Sequence, residues 1–297
     1  MSALGHLTAK VAAGAHLTDG EIEDLGASGD LLTLGMLADE VRRQRHGNAV
    51  TFVRVADVAA TDDLPVSPPP QPAGELRIVG TPPGLSRAIA RVRAARAVAG
   101  YLPLTGFSLG DLEAMAARDG AALESALVWL REAGLDLVAE APLDQLARLD
   151  DAFAAVTESR LPVARLTIDA AGTNEWLGLV RRARRLVSPA VPRAFAPLRR
   201  RLNTTTPSTG YADVRQVALA RLLVDNIPSI QVDWALYGPK LAQVALTFGA
   251  DDLDAVSPHD TLDEGRRRAP LEEVCRNIRA AAGEPVERNG RFELVTP

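Results

Sequence analysis

Apolar and polar positions along the chain follow two alternating rhythms. Short runs rich in β-branched residues, such as Ala49–Val58 (AVTFVRVADV), Glu75–Gly80 (ELRIVG) and Val163–Gly172 (VARLTIDAAG), give way to longer segments with helical spacing. The other short runs are Tyr101–Ser108, Leu135–Pro142, Pro192–Leu198, Ser229–Trp234 and Ala250–Val256. Helical segments are predicted at Ser86–Val98, on both sides of a break near Gly120 within Ser108–Gly134, and at Leu143–Ser159, Asn174–Leu186 and Ala212–Asn226. A further one, PKLAQVALTFG, carries Leu241, Val244, Ala245 and Phe248 at i, i+3, i+4 and i+7. Eight strands alternating with helices predict an α/β fold, a (β/α)8 TIM-like barrel. The helix expected between the first two strands is replaced by the Pro-rich stretch DDLPVSPPPQPAGE, Asp62–Glu75. Each proline there removes a donor and clashes with a preceding helical turn, so a linker with polyproline character is expected.

Both ends read as helical additions to the barrel. In LTDGEIEDL, Thr18 or Asp19 is a candidate N-cap, with acidic residues in the first turn. A longer helix from about Ser28 to Arg45 follows, striped by Leu31, Leu34, Leu37, Ala38 and Val41. The last helix, Pro270–Gly283, has a tolerated first-turn proline and a C-terminal glycine. Leu271, Val274, Cys275 and Ile278 repeat the stripe, so Cys275 reads as a buried packing thiol. The expected division is a helical segment over 1–48, a barrel core over 49–256 with its Pro-rich linker at 62–74, and a closing helix and tail over 257–297.

Composition narrows the function classes. With 47% hydrophobic and 24% charged residues and a net charge of −5, the chain has an ordinary globular balance and no basic domain for nucleic acid. The basic runs Arg181–Arg185, Arg199–Arg201 and Arg266–Arg268 read as solvated faces or loops, with contacts to a phosphate or carboxylate as the functional alternative. No apolar run reaches the ~20 residues of a membrane span, and the N-terminus lacks a signal-peptide pattern, so a cytoplasmic location is expected. The single cysteine excludes an intramolecular disulfide and any multi-cysteine metal site.

Several stretches carry a resemblance. They are LLTLGMLADEVRRQRHGNAVTFV, GELRIVG, LREAGLD, LARLLVDNIPSIQVDW, GPKLAQVALTFGADDLD and IRAAAGEPVERNGRFELV. In these the chain resembles the radical S-adenosylmethionine enzymes of the futalosine route to menaquinone, of the aminofutalosine synthase type. It is also similar to their relatives in deazaflavin cofactor synthesis. The resemblance implies a radical-SAM-type barrel whose first strand leads into Cys-x-x-x-Cys-x-x-Cys. Three thiolates there hold a four-iron cluster, because soft sulfur suits iron–sulfur chemistry. Here the first strand runs into ADVAATDDLPVSPPPQPAG, without cysteine; Asp57, Asp62 and Asp63 are hard oxygen ligands and would not rebuild the site. The turn after strand two reads Val79-Gly80-Thr81-Pro82-Pro83 where the family resembles VGG, and AEAP replaces a glycine-rich turn after strand four. Loss of paired glycines restricts close backbone approach to a ligand. The expectation is therefore a cluster-free homologue with no metal site, for which binding of S-adenosylmethionine is not anticipated.

Candidate residues follow from the rule that barrel sites lie at the C-terminal ends of strands. Asp233 and Trp234 stand at the exit of strand seven. Asp252 and Asp254 share one face of strand eight and Asp251 takes the other. Asp233, Asp251, Asp252 and His259 are the acid–base candidates; Trp234, Asn203, Thr205 and Glu140 are the ligand-binding ones. Thr204 and Thr206 belong to the same polar loop. The competing reading makes the aspartates helix caps and rim salt bridges. Glu140 and Asp169 need partners, for which Arg165 or Arg193 are placed. Two functions stay open: a pseudoenzyme binding a futalosine-related small molecule or menaquinone-pathway enzymes, and a non-radical lyase or hydrolase acting on a futalosine-like nucleoside or a chorismate-derived compound in the old barrel cavity. No nucleic-acid or membrane partner is expected, and a homodimer is left open.

Overall fold

The structure, a computed structural model, describes residues 7, 9–11, 13–15, 18–27, 29–61, 65–201, 209–259 and 270–295, with no side-chain description for 19, 173 and 174. Two helices, α1 (Asp19–Ala27) and α2 (Leu31–His46), precede the first strand, β1 (Ala49–Ala59). Then come β2 (Glu75–Val79), α3 (Leu85–Ala99), β3 (Leu104–Ser108), α4 (Leu109–Arg118), α5 (Leu123–Glu132), β4 (Leu137–Pro142) and α6 (Leu149–Ser159). The chain continues through β5 (Val163–Ile168), α7 (Thr173–Arg185), β6 (Ala194–Arg199), α8 (Gly210–Leu223), β7 (Ser229–Asp233), α9 (Trp234–Leu246), β8 (Asp252–Val256), α10 (Pro270–Ala280) and β9 (Glu284–Glu287).

The strands β2 to β8 pair in chain order, β8 pairs with β1, and β1 pairs with β2, all parallel. That closes an eight-stranded (β/α) barrel. The described residues between β1 and β2 contain no helix. The ninth strand was not expected. It pairs with Ala49–Phe52, the first half of β1, while the second half, Val55–Ala59, pairs with β2. The length of β1 thus serves two neighbours along one edge, and β9 sits beside β2 at the barrel's N-terminal end. Glu-Pro-Val-Glu has no apolar run to announce a strand; the open edge of β1 supplies the pairing.

Local chemistry explains the element ends. Asp30 caps α2, accepting from Thr33 N at 3.0 Å, and Gly47 ends the helix at φ 60°. Gly35 lets α2 approach Phe248: an added Cβ would lie 2.6 Å from the ring. In α9, Trp234–Tyr237 form one turn, Gly238 breaks it at φ 75°, and Pro239 opens the longer segment. Its buried residues are Trp234, Ala242, Ala245 and Leu246, whereas Val244 is 45% exposed, so the true stripe is rotated from the expected one. Likewise Tyr101 is fully exposed and β3 begins at Leu104. Cys275 is half-buried and packs on the core beside buried Val274 and Ile278.

Candidate functional site

The barrel interior is charged rather than apolar. At the N-terminal end, Asp252 accepts from Arg288 Nε and Nη2 at 2.6 Å each, from Gln231 Nε2 at 2.6 Å and from Thr51 Oγ1 at 2.5 Å. Arg288 follows β9 and lies 3.9 Å over the Phe292 ring, so the C-terminal segment plugs the barrel floor with a cation. One layer higher, Asp254 takes both Nη groups of Arg77 at 2.9 and 2.8 Å and Arg165 Nη1 at 2.9 Å. Arg77 Nε also donates to Glu75 at 2.7 Å, and Thr105 Oγ1 donates to the same oxygen at 2.5 Å. Higher still, Arg200 Nη1 donates to Asp233 at 2.5 Å and its Nε lies 3.2 Å from Glu140.

Each charge in this stack is answered by another, which a low-dielectric interior demands. Burial alone would push the Asp254 carboxyl up, but Arg165 and Arg77 hold it well below the ordinary carboxylate range. Burial, with Arg77 and Arg200 close by, lowers the pKa of Arg165 against the pull of Asp254. The layering is incomplete near the mouth. Glu140 Oε2, Arg165 Nε and Thr167 Oγ1 are buried without a hydrogen bond, the Arg200–Glu140 approach being Coulombic only. Glu140 and Arg165 border a small recess of about 250 Å³, lined also by Arg77, Arg200, Ser108 and Asp111.

A much larger cavity, about 1180 Å³, opens at the exit of β1, between the proline-rich stretch and the starts of α9 and α10. Ala56, Val58 and Leu76 form its wall, the prolines of 65–70 cover it, and Trp234, Ala255 and His259 bring it to the barrel mouth. Ala255 holds φ 56°, and the β1–β8 register shifts beside it. Such irregularities re-aim side chains at barrel rims. Asp57, the last acid on β1, lines this cavity and has no hydrogen-bond or ion-pair partner among the described residues. It is exposed there, yet crowding by protein raises its pKa; Arg77 opposes the shift, and Asp254, Glu75 and Asp233 add to it.

The expected site residues separate on this framework. Trp234 and His259 line the cavity. Glu140 borders the recess. Asp233 caps α9, accepting from Leu236 N at 2.8 Å, while it pairs with Arg200. Asp251 and Asp252 lie at the entrance of β8, not its exit, because the strand begins at Asp252. Asp251 pairs with buried Arg221, accepts from Ile230 N at 2.8 Å and stands 3.5 Å from His46, which stitches α8, β7 and α2 at the floor. Asp252 and Asp254 do share the inward face. Asn203, Thr204, Thr205 and Thr206 fall outside the described residues. Arg165 does face Glu140, at 3.9 Å, with Arg200 closer at 3.2 Å, whereas Arg193 is exposed at the opposite end and Asp169 pairs with Arg201 instead. Asp57 was not among the candidates, because its place on the cavity wall depends on the assembled barrel mouth, which no local spacing reveals.

Comparison with known proteins matches this framework in parts. The family described as the CofH/MqnC C-terminal region matches residues 193–296. An aminodeoxyfutalosine synthase of Streptomyces coelicolor is 38% identical over 105 residues, 33% of this chain and 27% of that protein. One of Thermus thermophilus is 36% identical over 119 residues, covering 35% and 31% respectively. A cyclic dehypoxanthine futalosine synthase of S. coelicolor is 28% identical over 106 residues, 35% of this chain and 27% of that one. The matched stretch therefore spans about a third or less of these curated relatives. Among solved structures, methylornithine synthase (PylB) superposes with a TM-score of 0.64 at 15% identity, covering 94% of this chain and 97% of its own. The hydrogenase maturase HydG does so with 0.66 at 11%, covering 96% and 75%. These two likenesses concern the fold alone.

Proposed function

Since the chain is a relative of the futalosine-pathway radical S-adenosylmethionine enzymes, we infer that it is a cluster-free homologue that binds a small molecule at the barrel mouth and performs no radical chemistry. The donor set carries the reading. A cluster of the family type needs three thiolates after the first strand, and the whole sequence has one cysteine, Cys275, on α10. Among the described residues no group of three or more His, Cys, Asp or Glu side chains is arranged to hold a metal ion. The residues present do not fit the group, and no step is routed through it.

The cavity supports binding rather than a purely structural role. A void of about 1180 Å³ is ample for a nucleoside-sized ligand, and it adjoins the strand ends where barrel ligands bind. A futalosine-like nucleoside, or a partner enzyme of menaquinone synthesis presenting one, is the ligand the relatives suggest. The alternative, a non-radical lyase or hydrolase, retains only His259 of its four acid–base candidates at the cavity wall.

Anaerobic reconstitution with iron and sulfide, followed by titration with futalosine-type nucleosides, tests the reading. No four-iron absorbance and no S-adenosylmethionine cleavage are expected, together with saturable nucleoside binding. A stable four-iron band with cleavage would overturn it.

A further inference from the structure

The barrel's paired charges leave two polar groups unanswered at the cavity. Asp57 has no partner, and the Trp234 indole N–H meets no acceptor among the described residues although the side chain is only 8% exposed. One is a free acceptor, the other a free donor on a flat apolar ring. Around them lie Val55, Val58, Val66 and the prolines of the covering segment. The other charged groups of the wall are Glu273, which has no hydrogen-bond or ion-pair partner among the described residues, His259, and Arg91, whose Nε donates to Ala59 O at 2.8 Å. On the lumen side, Arg77, Glu75, Asp254 and Asp233 are already engaged with one another or with Arg165 and Arg200. The unanswered charge at this cavity is therefore negative.

We propose that the cavity selects a ligand with a protonated amine or amidine head and a flat ring body, the head seated on Asp57 and the ring against Trp234 and the proline cover. The proposal rests on the reading of this cavity as a ligand site. A charged head on an ionised carboxylate makes a strong hydrogen bond, and a wall of proline and valine favours an apolar body over a second charge. The free Trp234 N–H adds an acceptor requirement on the ring's edge. Asp57's raised pKa agrees with a carboxylate kept short of counter-charge until a cation arrives.

The chain has three tryptophans, so ¹⁵N spectra show three indole signals, and Trp234→Phe assigns one of them. Trp176 serves as an internal control, because its Nε1 donates to Pro197 O at 2.9 Å away from the cavity. The probes are benzylamine, benzyl alcohol and benzoate, matched in ring size. Benzylamine should move the Trp234 signal saturably and leave Trp176 in place; benzoate should not move it. Asp57→Asn should weaken benzylamine about tenfold, the loss expected for one charge-assisted contact. Glu273→Gln, a second variant, should weaken it less. Equal binding of benzoate, or unchanged benzylamine affinity in Asp57→Asn, overturns the ligand class; if benzyl alcohol still moves Trp234, the cavity reading survives that failure. A Trp234 signal unmoved by all three probes overturns both.

Discussion

Asp254 is the residue whose replacement tests the charged interior most sharply. It is 1% exposed, accepts two charge-assisted hydrogen bonds from Arg77 and forms an ion pair with Arg165 at 2.9 Å. Asp254→Asn keeps the shape and removes the charge. Arg77 would keep Glu75 at 2.7 Å, but Arg165 would be left with Glu140 at 3.9 Å. One amide hydrogen-bonding group would also face guanidinium donors. Breaking a buried pair typically costs about 3–5 kcal/mol, and stranding part of two cations puts this case toward the upper end. At a typical ~2 °C per kcal/mol for a chain of this size, the melting temperature should fall by about 8–10 °C. Circular-dichroism melts and urea titration of the purified variant measure this. A loss below about 1 kcal/mol would refute the reasoning, because it would mean that the interior is hydrated enough to solvate the arginines. Replacing the group with Asp254→Leu, Arg77→Met, Arg165→Met and Glu75→Gln should recover part of the loss, since the carboxylate that Arg77 also answers is neutralised with it. The pH dependence has a definite sign. The folded pKa of Asp254 lies below its unfolded value, so its stabilisation is complete at neutral pH and is lost as pH falls below about 4 toward the folded pKa. The gap between wild type and Asp254→Asn should narrow over that acid range.

Two further substitutions probe other joints. Gly35→Ala drives a methyl to 2.6 Å from the Phe248 ring between α2 and the end of α9, and should cost about 1–3 kcal/mol by urea denaturation; Phe248→Leu in the same chain should relieve part of it. Asp233→Asn retains a capping side chain for α9 but loses the charge facing Arg200, whereas Asp233→Ala loses both. The alanine variant should be the less stable of the two by about 1 kcal/mol in thermal melts.

Much of the fold was legible because strands and helices impose different spacings, and the alternation of the two left few arrangements open. Four features were not legible, for physical reasons. Strand β9 exists because β1 is long enough to offer an unpaired edge, a property of the assembled sheet. The nearer partner of Glu140 and the cation on Asp169 sit on the loop after β6, and a run of arginines looks the same in sequence whether it faces water or a carboxylate. Asp251 and Asp252 were grouped with strand-exit residues although the expected run Ala250–Val256 already put them near its start; β8 begins at Asp252, which sets both at the barrel floor. Asp57 carried no signal, because an acid at a strand end is ordinary until the cavity beside it is assembled.

The division between matched and unmatched sequence bears on what the chain can bind. Residues 193–296, which match the CofH/MqnC C-terminal region, supply Arg200, Asp233, Asp252, Asp254 and Arg288 to the interior. The arginines that answer Asp254 come from β2 and β5, outside that region. Interior charges cannot be exchanged singly at small cost, so this half-and-half network ties the two parts of the chain together. Asp57 and the proline cover, by contrast, form no hydrogen bond or ion pair with it among the described residues. They can change without unpairing the interior, because their bonds do not run through it. The barrel therefore has a constrained floor and an unconstrained mouth. A new ligand preference could arise at the mouth by substituting β1's exit and the segment above it, while the stack of ion pairs below kept the barrel closed.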